Sequence, residues 1–298
     1  MTFLLQTTVG MLGNFSIFYH YLFLYLTRYK LRATDLILKH LTVANLLVIF
    51  SKGIPQTMAA FGLKYFLDDL GCKLVFYVHR VGRDVVIDAT CLLTLFQVIM
   101  ISPGDSRWAG LKIRAPRYLG TSSILCWVLT VMRSVLIPFY MTDKRNNTNI
   151  IVKADYDYCN AVYSGIITES LYVSLLLLHD GFCLGLMVWA RSSMVFILHR
   201  HRERVQYVHG NTVSTRSSPE SRATQSILVL VTTFVSFYSL SSIFQVCIIL
   251  FDDPSWLLVS ISALINGCFP SACPFILMNR ISSVFKVLLS LDEERNTH

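Results

Sequence analysis

Long stretches of apolar residues alternate with short polar connectors along the whole chain. A helix needs about 20 mostly apolar residues to cross a bilayer, and a run of about 18 or more is a candidate span. The candidate spans cover approximately 3–26, 35–61, 72–101, 116–138, 166–199, 219–251 and 255–278. The pattern therefore predicts an all-α protein with a single seven-helix transmembrane domain over residues 1–298, of which residues 279–298 form a cytoplasmic tail.

The basic residues are divided unequally between the two sets of connectors. The connectors after the first, third and fifth spans, together with the tail, contain 15 lysines and arginines, whereas the opposite side contains five. Loops rich in lysine and arginine stay in the cytoplasm. We therefore predict that the amino terminus lies outside and the carboxyl terminus inside.

This orientation places three further features on the outer side. Cys72 begins the third span and Cys159 lies in the connector after the fourth, and two cysteines that face an oxidising exterior are consistent with a bridge. Asn146 begins the sequon Asn146-Asn147-Thr148 in the same connector, so we expect it to be glycosylated.

Composition argues against several classes of protein. Hydrophobic residues make up 54% of the chain and charged residues only 15%, against about 25% charged residues in a soluble domain. The net charge of +8 resides in the connectors, which is typical of a membrane protein rather than one that binds nucleic acid. We find no metalloprotease, hydrolase or phosphate-loop motif and no zinc-ligand spacing, so we expect no catalysis, cofactor or metal.

The third span carries an unusual set of charges inside the predicted membrane region. His79, Arg80, Arg83, Asp84 and Asp88 each cost about 2.5–3.5 kcal/mol near the bilayer centre, so they should face the bundle or a water-filled cavity. Arg80 and Asp84 are four residues apart, and either they only neutralise each other or they serve the pocket. Asp88 has no partner one turn further along its helix.

Partners for these groups must then come from other spans. Lys52 on the second span is a candidate counter-ion for Asp88. On the fifth span, Glu169 and Tyr172 near the outer end either line the mouth of a pocket or lie at an ordinary helix interface.

A set of sequence motifs is distributed over nearly the whole chain: Thr34-Asp35-Leu36-Ile37-Leu38-Lys39-His40-Leu41, Pro55-Gln56-Thr57-Met58-Ala59-Ala60-Phe61-Gly62, Gly71-Cys72-Lys73-Leu74-Val75-Phe76-Tyr77, His79-Arg80-Val81-Gly82-Arg83, Thr90-Cys91-Leu92-Leu93, Ile101-Ser102-Pro103, Ser217-Ser218-Pro219-Glu220-Ser221-Arg222-Ala223-Thr224-Gln225-Ser226 and Cys268-Phe269-Pro270. With these motifs the chain resembles the vomeronasal type-1 receptors, a family of rhodopsin-like G-protein-coupled pheromone receptors. It also resembles that family in lacking the Asp-Arg-Tyr and Asn-Pro-x-x-Tyr motifs of most rhodopsin-like receptors.

The resemblance implies a plasma-membrane receptor with a Cys72–Cys159 bridge and an outward cavity for a small pheromone-like ligand. Binding would activate an inhibitory-type G protein in vomeronasal sensory neurons. The candidate pocket residues are His79, Arg83, Asp84, Asp88, Glu169 and Tyr172. The candidate G-protein-facing residues are Arg107, Lys112, Arg114, Arg200, Arg202 and Arg204. A bitter-taste-type receptor, a non-signalling relict and a membrane transporter remain alternatives, although internal repeats typical of transporters are absent.

Several positions depart from the pattern of the family that the chain resembles. Asp84 and Asp88 stand where small residues, glycine in close relatives, are usual, and Cys273 stands where serine is usual. His179 replaces a proline before Asp180, so a kink of the fifth span is expected to be lost. The two carboxylates either retune the pocket toward cationic ligands or mark a receptor that is losing its function.

Overall fold

The structure is a computed structural model that describes residues 1–27, 33–63, 66–102, 109–143, 152–156, 158–162, 166–209, 219–250 and 255–296. Its helices are α1 (Thr2–Leu26), α2 (Ala33–Val48), α3 (Ile54–Ala60), α4 (Asp69–Ile101), α5 (Ala109–Arg133), α6 (Ile166–His209), α7 (Pro219–Leu250) and α8 (Trp256–Asn296). A π-helical turn, Ile49–Gly53, joins α2 to α3, and a 3₁₀ segment, Ser134–Tyr140, extends α5.

The predicted seven-span architecture is confirmed. Within the described ranges, seven helices are long and apolar enough to cross a membrane, with α2, the π turn and α3 counted as one span. Helix α6, which forms the fifth span, continues to His209, beyond the end of its apolar run at residue 199. Helix α8, which forms the seventh span, continues to Asn296, beyond the end of its apolar run at residue 278. The protein is a multi-pass membrane protein.

Helix α4, the third span, lies at the centre of the bundle. It packs against α2, α5, α6 and α7, and its side chains Val85, Ile87 and Leu93 are fully or almost fully buried. Gly82 allows α2 to approach closely, since a methyl group there would lie 3.1–3.2 Å from atoms of Ala44, Leu47 and Val48. The polar residues of α4 are therefore placed where several helices meet.

Local sequence determines where α4 begins and why the second span is irregular. The Asp68 side chain caps α4 by accepting a hydrogen bond from the Gly71 amide at 2.8 Å. Pro55 cannot donate a backbone hydrogen bond, and the π turn Ile49–Gly53 directly precedes it. Lys52 lies in this turn, which directs it differently from a residue of a regular helix.

A small antiparallel sheet covers the end of the bundle at which α4 begins. Its strands are β1 (Met141–Asp143), β2 (Val152–Asp155) and β3 (Cys159–Val162), in the spatial order β1-β3-β2. A disulfide between Cys72 and Cys159 fastens β3 to α4, as the resemblance implied. We call this side of the molecule the disulfide end.

Candidate ligand-binding site

A cavity of about 180 Å³ lies beneath the sheet at the disulfide end. Its walls come from α4, the π turn, the 3₁₀ segment, the sheet, α7 and α8. The residues that matter for its chemistry are Lys52, His79, Arg80, Tyr156, Gln245 and Ser262. The cavity is thus formed by distant parts of the sequence that the bundle and the disulfide bring together.

Basic side chains dominate the polar part of this cavity. Lys52, His79 and Arg80 all line it, and no carboxylate does so among the described residues. In the part of the chain that the structure describes, no carboxylate oxygen lies within 4.0 Å of the Lys52 ammonium. The buried His79 Nδ1 atom has no hydrogen-bond partner there. These groups can bind an acidic or hydrogen-bond-accepting ligand.

His79 also connects this cavity to two smaller ones. A space of about 20 Å³ lies between His79, Lys52 and Gln6, and another of about 30 Å³ lies between His79, Arg83 and Tyr238. His79 and Arg83 therefore both border cavities, and their role in ligand binding stays a prediction.

Tyr156 closes the cavity from the sheet. Its ring packs against that of Phe76 with a centroid separation of 5.1 Å. Burial raises the pKa of the Tyr156 phenol above its ordinary value. The phenol therefore keeps its proton and can donate a hydrogen bond to a bound molecule.

Asp84 lies below the cavity, completely buried between two guanidinium groups. Its carboxylate oxygens are 3.0 Å from Arg80 Nε and 2.8 Å from Arg133 Nη2. The expected pair with Arg80 is present, and Arg133 of α5 adds a second cation that the spacing along α4 did not reveal. Asp84 thus joins α4 to α5 and does not line the cavities described above.

Arg83 and Asp180 join α4 to α6 and α7. Arg83 Nη2 is 3.5 Å from Asp180 Oδ2, and Arg83 Nη1 donates to Gln245 Oε1 at 2.7 Å. The guanidinium also lies 4.7 Å from the centre of the Tyr238 ring. These contacts compensate the burial of Arg83 through an ion pair, a hydrogen bond and a cation–π interaction.

Asp88 finds its partner on α6 and not on the second span. His179 Nε2 lies 3.1 Å from Asp88 Oδ1, and Thr130 Oγ1 donates to Asp88 Oδ2 at 3.2 Å. The expectation that Lys52 is its counter-ion was wrong, because within the described chain Lys52 makes no such pair and instead borders the cavity with His79. Asp88 and His179, which both depart from the residues usual in the family, therefore contact each other.

The other predicted site residues are placed as follows. Glu169 and Tyr172 belong to α6, but their side chains are outside the described part of the structure. The same holds for the side chains of Arg202 and Arg204. Arg107 and Asn146 lie outside the described residues altogether. Lys112, Arg114 and Arg200 lie toward the bundle end opposite the disulfide, with Arg114 and Arg200 exposed.

Three site residues had no clear signal in the sequence. Tyr156 lies in a polar connector, and Gln245 and Arg133 lie in mostly apolar stretches of α7 and α5. A strongly polar residue inside a span is by itself a hint of a functional or pairing role. Its partner becomes visible only when the helices are assembled.

Comparison with known proteins identifies the family. The profile of the vomeronasal organ pheromone receptor family matches residues 1–290. The chain is 55% identical to human vomeronasal type-1 receptor 4 over 281 residues, 94% of this chain and 93% of that receptor. It is 54% identical to human vomeronasal type-1 receptor 3, covering 94% and 90% of the two chains.

A third relative gives the same result. The chain is 53% identical to human vomeronasal type-1 receptor 2 over 277 residues, 93% of this chain and 70% of that receptor. With the seven-helix bundle and the disulfide-covered cavity, these matches show that the chain belongs to the vomeronasal organ pheromone receptor family, a family of chemosensory receptors.

Proposed function

We propose that this receptor binds a small extracellular molecule with an acidic group at the disulfide end and activates an inhibitory-type G protein at the opposite end. The observation that carries the proposal is a cavity wall with the basic side chains of Lys52, His79 and Arg80 and, among the described lining residues, no carboxylate. Within the described chain the Lys52 ammonium has no carboxylate oxygen within 4.0 Å. A cation in a space shielded from water attracts an anion more strongly than the same cation at an exposed surface.

The orientation follows from the distribution of charge. The connectors at the end opposite the disulfide are rich in lysine and arginine, and this excess supports a cytoplasmic location for that end. The amino terminus and the disulfide end then face outward, and residues 279–298 form the cytoplasmic tail. The G protein would contact the inner basic residues, namely Arg107, Lys112, Arg114, Arg200, Arg202 and Arg204.

The contacts below the cavity suggest how binding is transmitted. Arg80 lines the cavity and lies one helical turn from Asp84, while Arg83 holds Asp180 of α6 and Gln245 of α7. A ligand anion that binds Arg80 competes with Asp84 for this guanidinium. Such competition favours one arrangement of the helices over another, and a ligand shifts the population toward the arrangement that it binds more tightly.

The test measures G-protein activation in cultured cells that display the receptor. The panel contains small carboxylic and sulfonic acids, their neutral amides and amines of the same shape. We expect acids to activate the wild type, and Lys52→Met to weaken their potency about tenfold or more, since a hydrogen bond to a charged group contributes about 1.5–3 kcal/mol. Lys73→Met is the matched control, because Lys73 pairs with Asp69 at 2.5 Å and does not line the cavity.

Two outcomes contradict the proposal. If amines activate the receptor and acids do not, the assignment of ligand charge is wrong. If labelled ligand accumulates inside cells without any response sensitive to an inhibitor of the G protein, the chain is a transporter.

A further inference from the structure

A cluster of metal-binding side chains lies between α4 and α6, deeper than the cavity and separate from it. Asp88 comes from α4, and His179 and Cys183 come from α6. We propose that these three residues bind a transition-metal ion such as Zn²⁺, which links α4 to α6. The proposal concerns a site that ligand binding and G-protein activation do not use.

The spacing along α6 directs both of its donors to the same place. His179 and Cys183 are four residues apart, so their side chains lie on one face of the helix, one turn from each other. The His179 Nε2 and Cys183 Sγ atoms are 3.7 Å apart. A donor pair of this kind needs only one further residue from a neighbouring helix to form a three-ligand site, and Asp88 supplies it.

The distances between the donor atoms fit a tetrahedral ion. Metal–donor lengths of about 2.0–2.3 Å require donor–donor separations of roughly 3.3–3.6 Å. Asp88 Oδ1 lies 3.1 Å from His179 Nε2 and 3.9 Å from Cys183 Sγ. With the 3.7 Å separation on α6, all three distances are within about 0.4 Å of the ideal tetrahedral values. Small side-chain rotations would therefore create the site without moving a helix.

Neighbouring groups already orient these ligands as metal sites require. The second nitrogen of His179, Nδ1, lies 3.3 Å from Asp180 Oδ1. The second oxygen of Asp88 accepts the hydrogen bond from Thr130. A metal-binding histidine almost always hydrogen-bonds a carboxylate or carbonyl through its other nitrogen, and metal-binding carboxylates are likewise hydrogen-bonded. Asp180 is itself held by Arg83.

A possible fourth donor lies next to Cys183. The Cys91 thiol contacts the Cys183 thiol and lies on α4, three residues beyond Asp88. Cys91 or a water molecule would complete the tetrahedron. On binding, the Cys183 thiol and the Nε2 atom of the His179 imidazolium each release a proton to solvent. The thiolate and the Asp88 carboxylate then neutralise the two charges of the ion.

The donor set also determines which metal is suited to the site. Imidazole and thiolate favour zinc, cobalt and copper, whereas magnesium and calcium prefer sites made wholly of oxygen. The site should therefore bind Zn²⁺ and its spectroscopic substitute Co²⁺, and it should not respond to Mg²⁺ or Ca²⁺.

The test uses the purified full-length receptor in detergent after treatment with a chelator. Titration with Co²⁺ should produce a thiolate-to-cobalt absorption band in the near ultraviolet and intense visible bands of tetrahedral Co²⁺, with one ion per chain, and Zn²⁺ should abolish both. Cys183→Ser should remove the thiolate band or, where Cys91 also binds, reduce it, and His179→Gln should weaken binding by about tenfold or more. Cys247→Ser is the matched control, because Cys247 is a free cysteine of α7 outside the cluster.

A second measurement keeps the proposal testable if a variant folds poorly. Zn²⁺ should raise the Tm of the wild type, because a ligand that binds only the folded state stabilises it, whereas Mg²⁺ should not. Absence of a thiolate–cobalt band in the folded wild type would overturn the proposal and leave Asp88 and His179 as a simple ion pair. A band unchanged by both Cys183→Ser and His179→Gln would overturn it as well.

Discussion

At the scale of single residues, the two intramembrane aspartates are integrated into the bundle. Asp84 is fully buried between Arg80 and Arg133, and Asp88 lies against His179. A charge inside a membrane protein is tolerated when it is paired, and removal of one partner leaves an uncompensated charge that costs about 3–5 kcal/mol in a buried site. The pairing argues against the hypothesis that these aspartates are lesions of a decaying receptor.

This argument predicts the effect of restoring the glycines that the family resemblance leads one to expect. The double change Asp84→Gly/Asp88→Gly should reduce surface display, because Arg80, Arg133 and His179 would lose carboxylate partners. Display is measured by antibody binding to an outer tag in intact cells. Asp69→Asn, which affects a half-exposed pair with Lys73, should change display little, since such a pair contributes about 0–1 kcal/mol. Higher display of the double variant would show that the aspartates are damaging.

The aspartates also show the limit of reasoning from one residue to its sequence neighbours. Arg80 is four residues from Asp84, so helix geometry alone predicted their contact. His179 lies 91 residues from Asp88, and Lys52 was as reasonable a partner until the helices were assembled. The sequence therefore predicted that Asp88 needs a partner, while the packing of α6 against α4 selected it.

At the scale of secondary-structure elements, close packing of α2 against α4 positions the site. Gly82 occupies the contact, and its neighbours include the Ala44 carbonyl oxygen, which cannot move aside as a flexible side chain can. The packing of the second span against α4 also presents Lys52 of the π turn and His79 of α4 to one cavity. The spacing between the second span and α4 thus controls the distance between the side chains of Lys52 and His79.

Two glycine substitutions should separate packing from helix propensity. Gly82→Val should lower the stability of the purified receptor by about 1–3 kcal/mol, because extra atoms in a packed interface force strain. Gly181→Val should leave stability unchanged or raise it slightly, since valine favours a helix more than glycine does and nothing lies within 4 Å of the added carbon at this exposed position.

Thermal unfolding in detergent compares these two variants with the wild type. An equal effect of both substitutions would contradict the packing argument, because the substitutions differ mainly in what surrounds the added atoms.

At the scale of the whole molecule, a charge network and a disulfide determine which helices and strands contact each other. Apolar packing alone permits several arrangements of the same helices. The network links α4 to α5 through Asp84 and Arg133, and to α6 and α7 through Arg83. The disulfide fixes the sheet over the cavity. Charged contacts of this kind require specific partners, so they select one arrangement among many apolar packings.

The proposed orientation gives a prediction for the intact protein. A tag before Met1 should be stained in intact cells, whereas a tag after His298 should be stained only after permeabilisation, because loops rich in lysine and arginine stay in the cytoplasm. Asn146→Gln should abolish a mobility shift produced by glycosidase treatment of the wild type, since a glycan is added only on the outer side.

Staining of the carboxyl-terminal tag in intact cells would overturn the orientation. An unchanged glycosidase shift in Asn146→Gln would mean that sugar is attached elsewhere, and Asn147→Gln serves as the control that keeps the sequon.

The sequence by itself determined the number of spans, the all-helical fold and the local pair of Arg80 and Asp84. These properties depend on near neighbours, because a segment in lipid must satisfy its own backbone hydrogen bonds and therefore forms a helix wherever the apolar run is long enough. Its cysteines also marked the bridge between α4 and the sheet.

Only the tertiary structure decided which distant groups meet. It brought His179 and Cys183 to Asp88, placed Arg133 beside Asp84, and turned Lys52 toward His79 through the π turn before Pro55. The rotation of each helix about its axis sets these contacts, and that rotation results from the packing of all neighbouring helices at once. A span's own apolar pattern cannot specify it.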